Sequence, residues 1–166
     1  MYYVAYKAIG IVHSPYLTPE GTPIQPAASR EDLNDDLASI EIFHEFSRGL
    51  KDLDGFSHIY VLFHMHLAKK ESLLVTPFLD NHLRGVFATR SPERPNPIGL
   101  SVVRLEKIED NYLYFRNHDM IDCTPVLDIK PYVPSFDMFK VNKSGWLEKN
   151  IHKLSDITDD GRFKQK

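Results

Sequence analysis

A stiff cationic loop is the first group of residues here whose types and spacing suit a ligand site. Residues 90–97 contain three prolines set between Arg90, Arg94 and Asn96. Each proline fixes its own φ and restricts the preceding residue to extended conformations, so the loop should lose little entropy on binding. Guanidinium groups suit planar anions such as carboxylate and phosphate. The loop therefore predicts a preorganised site for an anionic ligand.

A second polar cluster, residues 117–132, places carboxylates among apolar neighbours. Unpaired charges in such surroundings are costly and their pKa values shift, so these groups should be paired or used in chemistry. Asp128 and Lys130 are two apart on a predicted strand and share a face, which favours a structural ion pair. Asp119 and Asp122 precede that strand in a loop, where functional residues concentrate. Either carboxylate could act as a general base.

Histidines offer a third kind of chemistry. His64 and His66 are predicted to share a strand face, and a His-x-His pair is a possible fragment of a metal site with Asp119 or Asp122. Two strand histidines satisfied by their neighbours are the more frequent arrangement, so we expect no metal. Cys123 stands beside apolar residues, which favours a packed side chain over a reactive thiolate.

The elements that position these groups are predicted to be mainly strands. The best hairpin joins residues 100–108 to residues 112–116 through a polar turn, and further strands are expected at residues 4–12 and 56–67. Apolar residues at three- and four-residue spacing from Ile42 to Leu53 predict a short amphipathic helix. No Gly-x-Gly-x-x-Gly motif joins a strand to a helix, which argues against a Rossmann fold. We expect one mainly β, barrel-like domain with one or two short helices.

Composition restricts the partners and the compartment. The formal net charge of −3 argues against indiscriminate nucleic-acid binding, yet residues 84–104 contain four arginines against one glutamate. A local cationic site on an acidic body is compatible with a polyanion recognised at one place. The single cysteine and the lack of a signal-peptide pattern at the N-terminus predict a cytoplasmic location, and no apolar run predicts a membrane span.

Five blocks of this sequence, in order, resemble the TrmO (TsaA-like) family. They are Gln25-Pro26, residues 55–59 (Gly-Phe-Ser-His-Ile), residues 85–91 (Gly-Val-Phe-Ala-Thr-Arg-Ser), residues 94–99 (Arg-Pro-Asn-Pro-Ile-Gly) and residues 124–132 (Thr-Pro-Val-Leu-Asp-Ile-Lys-Pro-Tyr). The resemblance implies a β-barrel methyltransferase domain over residues 1–137, followed by a polar tail, residues 138–166, that packs on the domain or frays from it. It also implies S-adenosylmethionine as methyl donor, a homodimer, and N6-methylation of threonylcarbamoyladenosine beside the anticodon of tRNA.

The resemblance carries a set of cofactor-site positions onto this chain. They are Gln25, Pro26, Ala27, His66, Leu67, Arg90, Leu100, Arg116, Asn117, His118 and Asp119. This chain departs from the family pattern in the last of these segments, since the family commonly has glycine where Arg116-Asn117-His118 and Cys123 stand.

Roles for the remaining polar residues follow from the chemistry of methyl transfer. The weakly nucleophilic acceptor nitrogen must lose a proton, for which we predict Asp122 first and Asp119 second. Asn96 is predicted to hold the base edge at the catalytic centre, with Arg94 and Lys130 as further substrate contacts. Two other functions stay open on the residues alone: a non-catalytic RNA-binding barrel, and a metal-dependent hydrolase built on the histidines and aspartates.

Overall fold

The strands of this protein close into one antiparallel barrel. A computed structural model describes residues 2–26 and 36–163. The barrel strands are β1 (Gly10–His13), β2 (Ala38–Ile42), β3 (His58–His64), β6 (Ile98–Glu109), β7 (Tyr112–Arg116) and β8 (Pro125–Pro131), and a separate two-stranded sheet holds β4 (Leu74–Val75) and β5 (Arg84–Gly85). The barrel order is β1-β2-β7-β6-β3-β8, and β8 pairs with β1 to close it. The predicted mainly β barrel is confirmed.

Helical structure in the described residues is short. The one α-helix is α1 (Pro134–Asp137), and 3₁₀ helices span His44–Leu50, Leu53–Gly55, Val86–Ala88, Gly145–Lys149 and Ile151–Asp156. The amphipathic helix predicted between Ile42 and Leu53 is therefore two 3₁₀ helices. Phe46, Leu50 and Leu53 still pack against the barrel core. The spacing of the apolar residues therefore predicted correctly which side chains face the core, but the type of helix that it predicted was wrong.

The predicted hairpin is present as β6 and β7. Asp110 takes a positive φ of 53° in the turn between them. Inward positions alternate along both strands, and Val103, Leu105, Leu113 and Phe115 are all buried. These side chains meet Ile40, Ile59 and Val126 from the other strands, so the barrel interior is a packed apolar core.

Two predicted strands are shorter than expected. The first was predicted over residues 4–12, but β1 begins at Gly10, and Tyr2, Tyr3 and Tyr6 are 70% or more exposed. No strand of the described chain pairs with residues 2–8, and aromatic content alone does not make a strand without a partner ladder. The strand predicted over residues 56–67 ends at His64, so His66 lies in a turn and does not share the strand face with His64.

A close approach between β3 and β6 explains the glycine of the Asn96-Pro97-Ile98-Gly99 block. Gly99 pairs with Phe63, and a Cβ atom built on Gly99 would lie 2.2 Å from the Phe63 ring. No side chain fits in that space, so the aromatic ring occupies the volume that the glycine leaves.

The segment after the barrel returns to it. Thr158 bridges Pro23, Asp159 exchanges backbone hydrogen bonds of 2.9 Å with Gly21 and Thr22, and Arg162 Nη1 donates to the Pro77 carbonyl at 3.0 Å. The C-terminal residues up to 163 thus pack on the loop that carries Gln25. Among the described residues, no helix has the length and apolar character needed to cross a bilayer.

Candidate functional site

A cavity of about 490 Å³ lies where three barrel loops converge. Its walls come from the turn after β3, from residues 89–94 and the start of β6, and from the loop before β8, with residues 19–25 facing them. The predicted cofactor residues Gln25, His66, Leu67, Arg90, Leu100 and Asp119 all line it. Segments far apart in sequence therefore meet at one site, in a volume typical of small-molecule pockets.

Asp119 is a carboxyl group in the wall of this cavity whose pKa is shifted from its usual value. Its Oδ1 accepts a hydrogen bond of 2.5 Å from the Ser101 hydroxyl. Burial raises the pKa of the Asp119 carboxyl to about 6, although the Ser101 hydrogen bond and the nearby Arg90 charge act in the opposite direction. At neutral pH the group is mostly ionised, and it is a better proton acceptor than an ordinary aspartate.

Asp122 has a different environment. Its carboxylate accepts hydrogen bonds from the Ser14 backbone N–H at 3.0 Å and from the Cys123 thiol at 3.2 Å. The Ser14 hydrogen bond is the main reason that the pKa of Asp122 lies below its usual value. Asp122 does not line the cavity. Of the two predicted bases, Asp119 therefore lies in the cavity wall and Asp122 lies outside it.

Burial lowers the pKa of two histidines, His66 in the cavity wall and His118 behind it. Burial lowers the pKa of His66, whose Nδ1 lies 3.4 Å from the Thr124 hydroxyl. Burial also lowers the pKa of His118 to about 4, and its Nδ1 accepts a hydrogen bond from the Met120 N–H at 3.3 Å. His118 packs between the rings of Tyr16 and Phe115 beneath the Asp119 loop and lines neither of the two cavities described.

The cationic loop contributes two arginines. Arg90 Nη1 donates to Gln25 Oε1, which ties the proline-rich loop to the first predicted segment. Arg94 Nη1 donates to the carbonyls of Thr89 and Ser91, at 3.1 and 3.4 Å, and the residue lines the cavity. One guanidinium nitrogen of Arg94 thus stabilises the loop itself.

Other predicted residues lie elsewhere among those the structure describes. Asn96 and Lys130 are exposed and line neither cavity, and Lys130 Nζ pairs with Asp128 at 2.7 Å, which confirms the structural ion pair. Arg116 also lines neither cavity and pairs with the buried Asp36 at 3.3 Å. Ala27 is outside the described residues.

A second cavity of about 780 Å³ adjoins the first. Gln25 and Arg90 line both cavities, so their hydrogen bond stands between the two spaces. Pro26 and Asn117 line only the second, together with Trp146 from the C-terminal segment. The predicted cofactor positions are therefore divided between two neighbouring cavities.

The sequence analysis did not identify Ser101 and Ser14, whose hydrogen bonds lower the pKa values of Asp119 and Asp122. A signal existed for Ser101, because it occupies an inward position of β6 between Gly99 and Val103, and a buried hydroxyl needs a partner. Nothing in the local sequence marked Ser14. Within residues 2–26 and 36–163, no group of three or more His, Cys, Asp or Glu side chains is placed to hold a metal ion.

The closed barrel and its cavity define a class of small-molecule-binding β-barrel without the Rossmann phosphate loop. The family model for the tRNA-methyltransferase O N-terminal domain matches residues 11–138. The chain belongs to this family, so the predicted membership of a family of S-adenosylmethionine-dependent tRNA (adenine-N6) methyltransferases is confirmed.

Individual relatives agree with the family match. A probable S-adenosyl-L-methionine-binding protein of Pyrococcus abyssi is 52% identical, with 96% of this chain and 85% of that protein covered. A human tRNA (adenine(37)-N6)-methyltransferase is 40% identical over 79% of this chain and 30% of its own length. The crystal structure of TrmO from Pseudomonas aeruginosa superposes with a TM-score of 0.71 at 34% identity, covering 87% of this chain and 63% of that one. This chain thus spans under two thirds of the solved relative.

Proposed function

We propose that this protein transfers a methyl group from S-adenosylmethionine to N6 of an adenosine in tRNA, with threonylcarbamoyladenosine beside the anticodon as acceptor. The observation that carries the proposal is the Asp119 carboxyl, which lines the 490 Å³ cavity with its pKa raised to about 6. The same cavity is lined by Arg90 and Arg94, so a proton acceptor and anion-binding groups meet in one place.

The cavity fits an organic ligand that has both positive and negative groups. Most of its lining is apolar, and its charged side chains are the carboxyl groups of Asp119 and Asp159 and the cationic groups of Lys69, Arg90 and Arg94. S-adenosylmethionine has a sulfonium and an ammonium group, and when bound it supplies an electrophilic methyl group for in-line displacement. The residues proposed to hold it are Gln25, His66, Leu67, Arg90, Leu100 and Asp119, which surround this space.

Asp119 is proposed to accept the proton that leaves N6. As the new N–C bond forms at N6, the sulfur keeps the electrons of the S–C bond that breaks, and the proton on N6 must leave. An ionised Asp119 accepts that proton. The Ser101 hydroxyl, at 2.5 Å from Oδ1, orients the carboxylate and leaves Oδ2 for the acceptor.

Arg90 and Arg94 are proposed to bind the carboxylate of the threonyl group. Arg90 lines both cavities and Arg94 lines the first, so the carboxylate would lie where the two cavities meet, and a guanidinium matches a planar carboxylate with two parallel hydrogen bonds. Asn96 and Lys130 lie outside the cavities, so the proposal uses them only as contacts to more distant parts of the tRNA. A homodimer and a cytoplasmic location stay predictions.

The test compares two aspartates of the same loop. Wild type, Asp119→Asn and Asp122→Asn are assayed for methyl transfer to tRNA with and without the threonylcarbamoyl group, and S-adenosylmethionine binding is measured by calorimetry on metal-free protein. We expect transfer to the modified tRNA only, with a loss of about 10²- to 10⁴-fold in Asp119→Asn, the range for general-base removal, and little change in Asp122→Asn.

Three results would contradict the proposal. Tight RNA binding without any response to S-adenosylmethionine would indicate a non-catalytic RNA-binding module. Equal methylation of both tRNAs would remove the threonylcarbamoyl group as the feature recognised. Normal turnover by Asp119→Asn would remove this residue as the base.

A further inference from the structure

We propose that the second cavity, on the far side of the Gln25–Arg90 hydrogen bond, receives the acceptor nucleoside, as a flipped-out purine with an anionic substituent. This inference rests on the proposed function, because it assigns the place from which the acceptor approaches the methyl donor. The relevant wall residues are Phe87, Arg104, Asn117 and Trp146, together with the shared Gln25 and Arg90.

The two cavities differ in the charges of their walls. The lining of the first combines the carboxyl groups of Asp119 and Asp159 with the side chains of Lys69, Arg90 and Arg94, which suits a ligand that has groups of both signs, such as S-adenosylmethionine. Among the described residues that line the second, the ionisable side chains are His58, Arg90 and Arg104, without a carboxylate. Arg104 also pairs with Glu106, at 3.3 Å, on the neighbouring surface. The wall of the second cavity therefore suits an anionic acceptor, whereas that of the first suits a donor with groups of both signs.

The second cavity also has the groups that recognise a nucleobase. Phe87 is 78% exposed at its rim, and the indole of Trp146 forms part of its wall. Exposed aromatic rings offer stacking surfaces to unpaired bases, and carboxamides such as Asn117 pair with the edge of adenine. A base must leave its stack to present N6 to an enzyme, and a volume of about 780 Å³ is large enough for a nucleoside.

The two cavities share part of their walls. Gln25, Thr89 and Arg90 line both cavities, so atoms on the two sides are separated by the Arg90 Nη1 to Gln25 Oε1 hydrogen bond. In-line methyl transfer needs the acceptor nitrogen close to the methyl group and opposite the sulfur. An acceptor in the second cavity meets this condition when that hydrogen bond is exchanged for one to the ligand.

The C-terminal segment completes the second cavity. Trp146 Nε1 donates to the Ala88 carbonyl at 2.8 Å, and the guanidinium carbon of Arg84 lies 5.9 Å from the centroid of its ring system. These contacts hold the indole against the backbone of Ala88, the residue that follows Phe87. Since residues 145–154 supply this wall, they would contribute to acceptor selection, a role that lies outside the barrel itself.

Trp146 is the only tryptophan of the chain, so its fluorescence reports on this cavity. The probes are S-adenosylmethionine alone and an anticodon stem-loop RNA with threonylcarbamoyladenosine, with the unmodified stem-loop for comparison. We expect saturable quenching by the modified RNA, weaker quenching by the unmodified RNA, and little response to S-adenosylmethionine. A response to S-adenosylmethionine alone would place the donor there and overturn the inference.

A pair of variants tests the stacking wall. Phe87→Ala is compared with Phe139→Ala, because Phe139 is 76% exposed and lines neither cavity. Phe87→Ala should weaken modified-RNA binding by roughly ten-fold, the loss expected for one base–aromatic stack, with an unchanged Kd for S-adenosylmethionine. Equal RNA affinities for the two variants would overturn the inference even if the enzyme methylates tRNA. A selective loss in Phe87→Ala would support it even if no methyl transfer occurred.

Discussion

The Ser101 hydroxyl donates a 2.5 Å hydrogen bond to Asp119 Oδ1 and joins β6 to the loop that precedes β8. Ser101 is 2% exposed, so this hydroxyl has the carboxylate as its partner in a nearly dry environment. Burial raises the pKa of Asp119, and this hydrogen bond and the nearby Arg90 charge act against that increase.

Ser101→Ala should move the pH dependence of methyl transfer. Without the hydroxyl, the pKa of Asp119 rises further, so the acidic limb of the kcat/KM profile should shift to higher pH. A hydrogen bond to a charged group is worth about 1.5–3 kcal/mol, which corresponds to roughly one to two pH units. Ser39→Ala, in β2 and away from the cavity, is the matched control. An unshifted profile in Ser101→Ala would show that Asp119 does not control this limb.

Binding of S-adenosylmethionine should strengthen as pH rises through about 6. Below the pKa of Asp119 the carboxyl is protonated and neutral, and above it the carboxylate attracts the cationic ligand. If the ionised form binds, the Kd measured by calorimetry should fall by about ten-fold between about pH 5 and pH 7. Asp119→Asn should remove most of this dependence. A pH dependence that persists in Asp119→Asn would assign it to another group.

Gly99→Ala should destabilise the barrel. The added Cβ would lie 2.2 Å from the Phe63 ring, so the ring or the strand must move, at a cost of about 1–3 kcal/mol in the free energy of unfolding. Gly55→Ala, where a Cβ meets no atom within 4 Å, is the control. Urea denaturation measures both. In Phe63→Leu protein the cost of Gly99→Ala should be smaller, and simple additivity of the two changes would refute the steric explanation.

His118 should make the protein sensitive to acid. Its pKa is about 4 in the folded state, against 6.5 for an ordinary histidine, so the unfolded chain binds this proton first. The stability that it contributes is complete above about pH 6.5 and is lost as pH falls to about 4, a difference of about 3 kcal/mol.

Urea denaturation at a series of pH values measures this loss. His118→Gln should flatten the dependence between about pH 7 and pH 4, although it also lowers stability at neutral pH. His44→Gln, at an exposed position, should leave the dependence as in wild type. Identical pH slopes in wild type and His118→Gln would refute the burial of a neutral imidazole.

The class of fold and many residues of the cavity wall could be predicted from local patterns and from the family resemblance. The β6–β7 hairpin could be predicted because a polar turn between two apolar alternating runs is a local signal. The stiffness of residues 90–97 is local as well, since proline acts on its own φ and on the preceding residue. The family blocks then identified Gln25, His66, Arg90 and Asp119 as neighbours, which the cavity confirms.

The different environments of the two predicted bases depend on contacts that form only in the folded chain. Asp119 and Asp122 are three residues apart and have the same chemistry, but Asp119 accepts a hydrogen bond from the buried Ser101 hydroxyl and Asp122 accepts one from the Ser14 backbone. These partners are 18 and 108 residues away, so no local pattern could reveal them. The shortened first strand has the same origin, because a strand exists only where another strand offers a ladder of hydrogen bonds.

The division of the site into two cavities is also a property of the folded chain alone. Trp146 and Asp159 come from a segment whose sequence is polar and without motif, yet they reach the walls of the site through contacts with Ala88 and Thr22. The sequence of this segment does not predict where it packs, because the contacts that stabilise its position exist only after the barrel has closed.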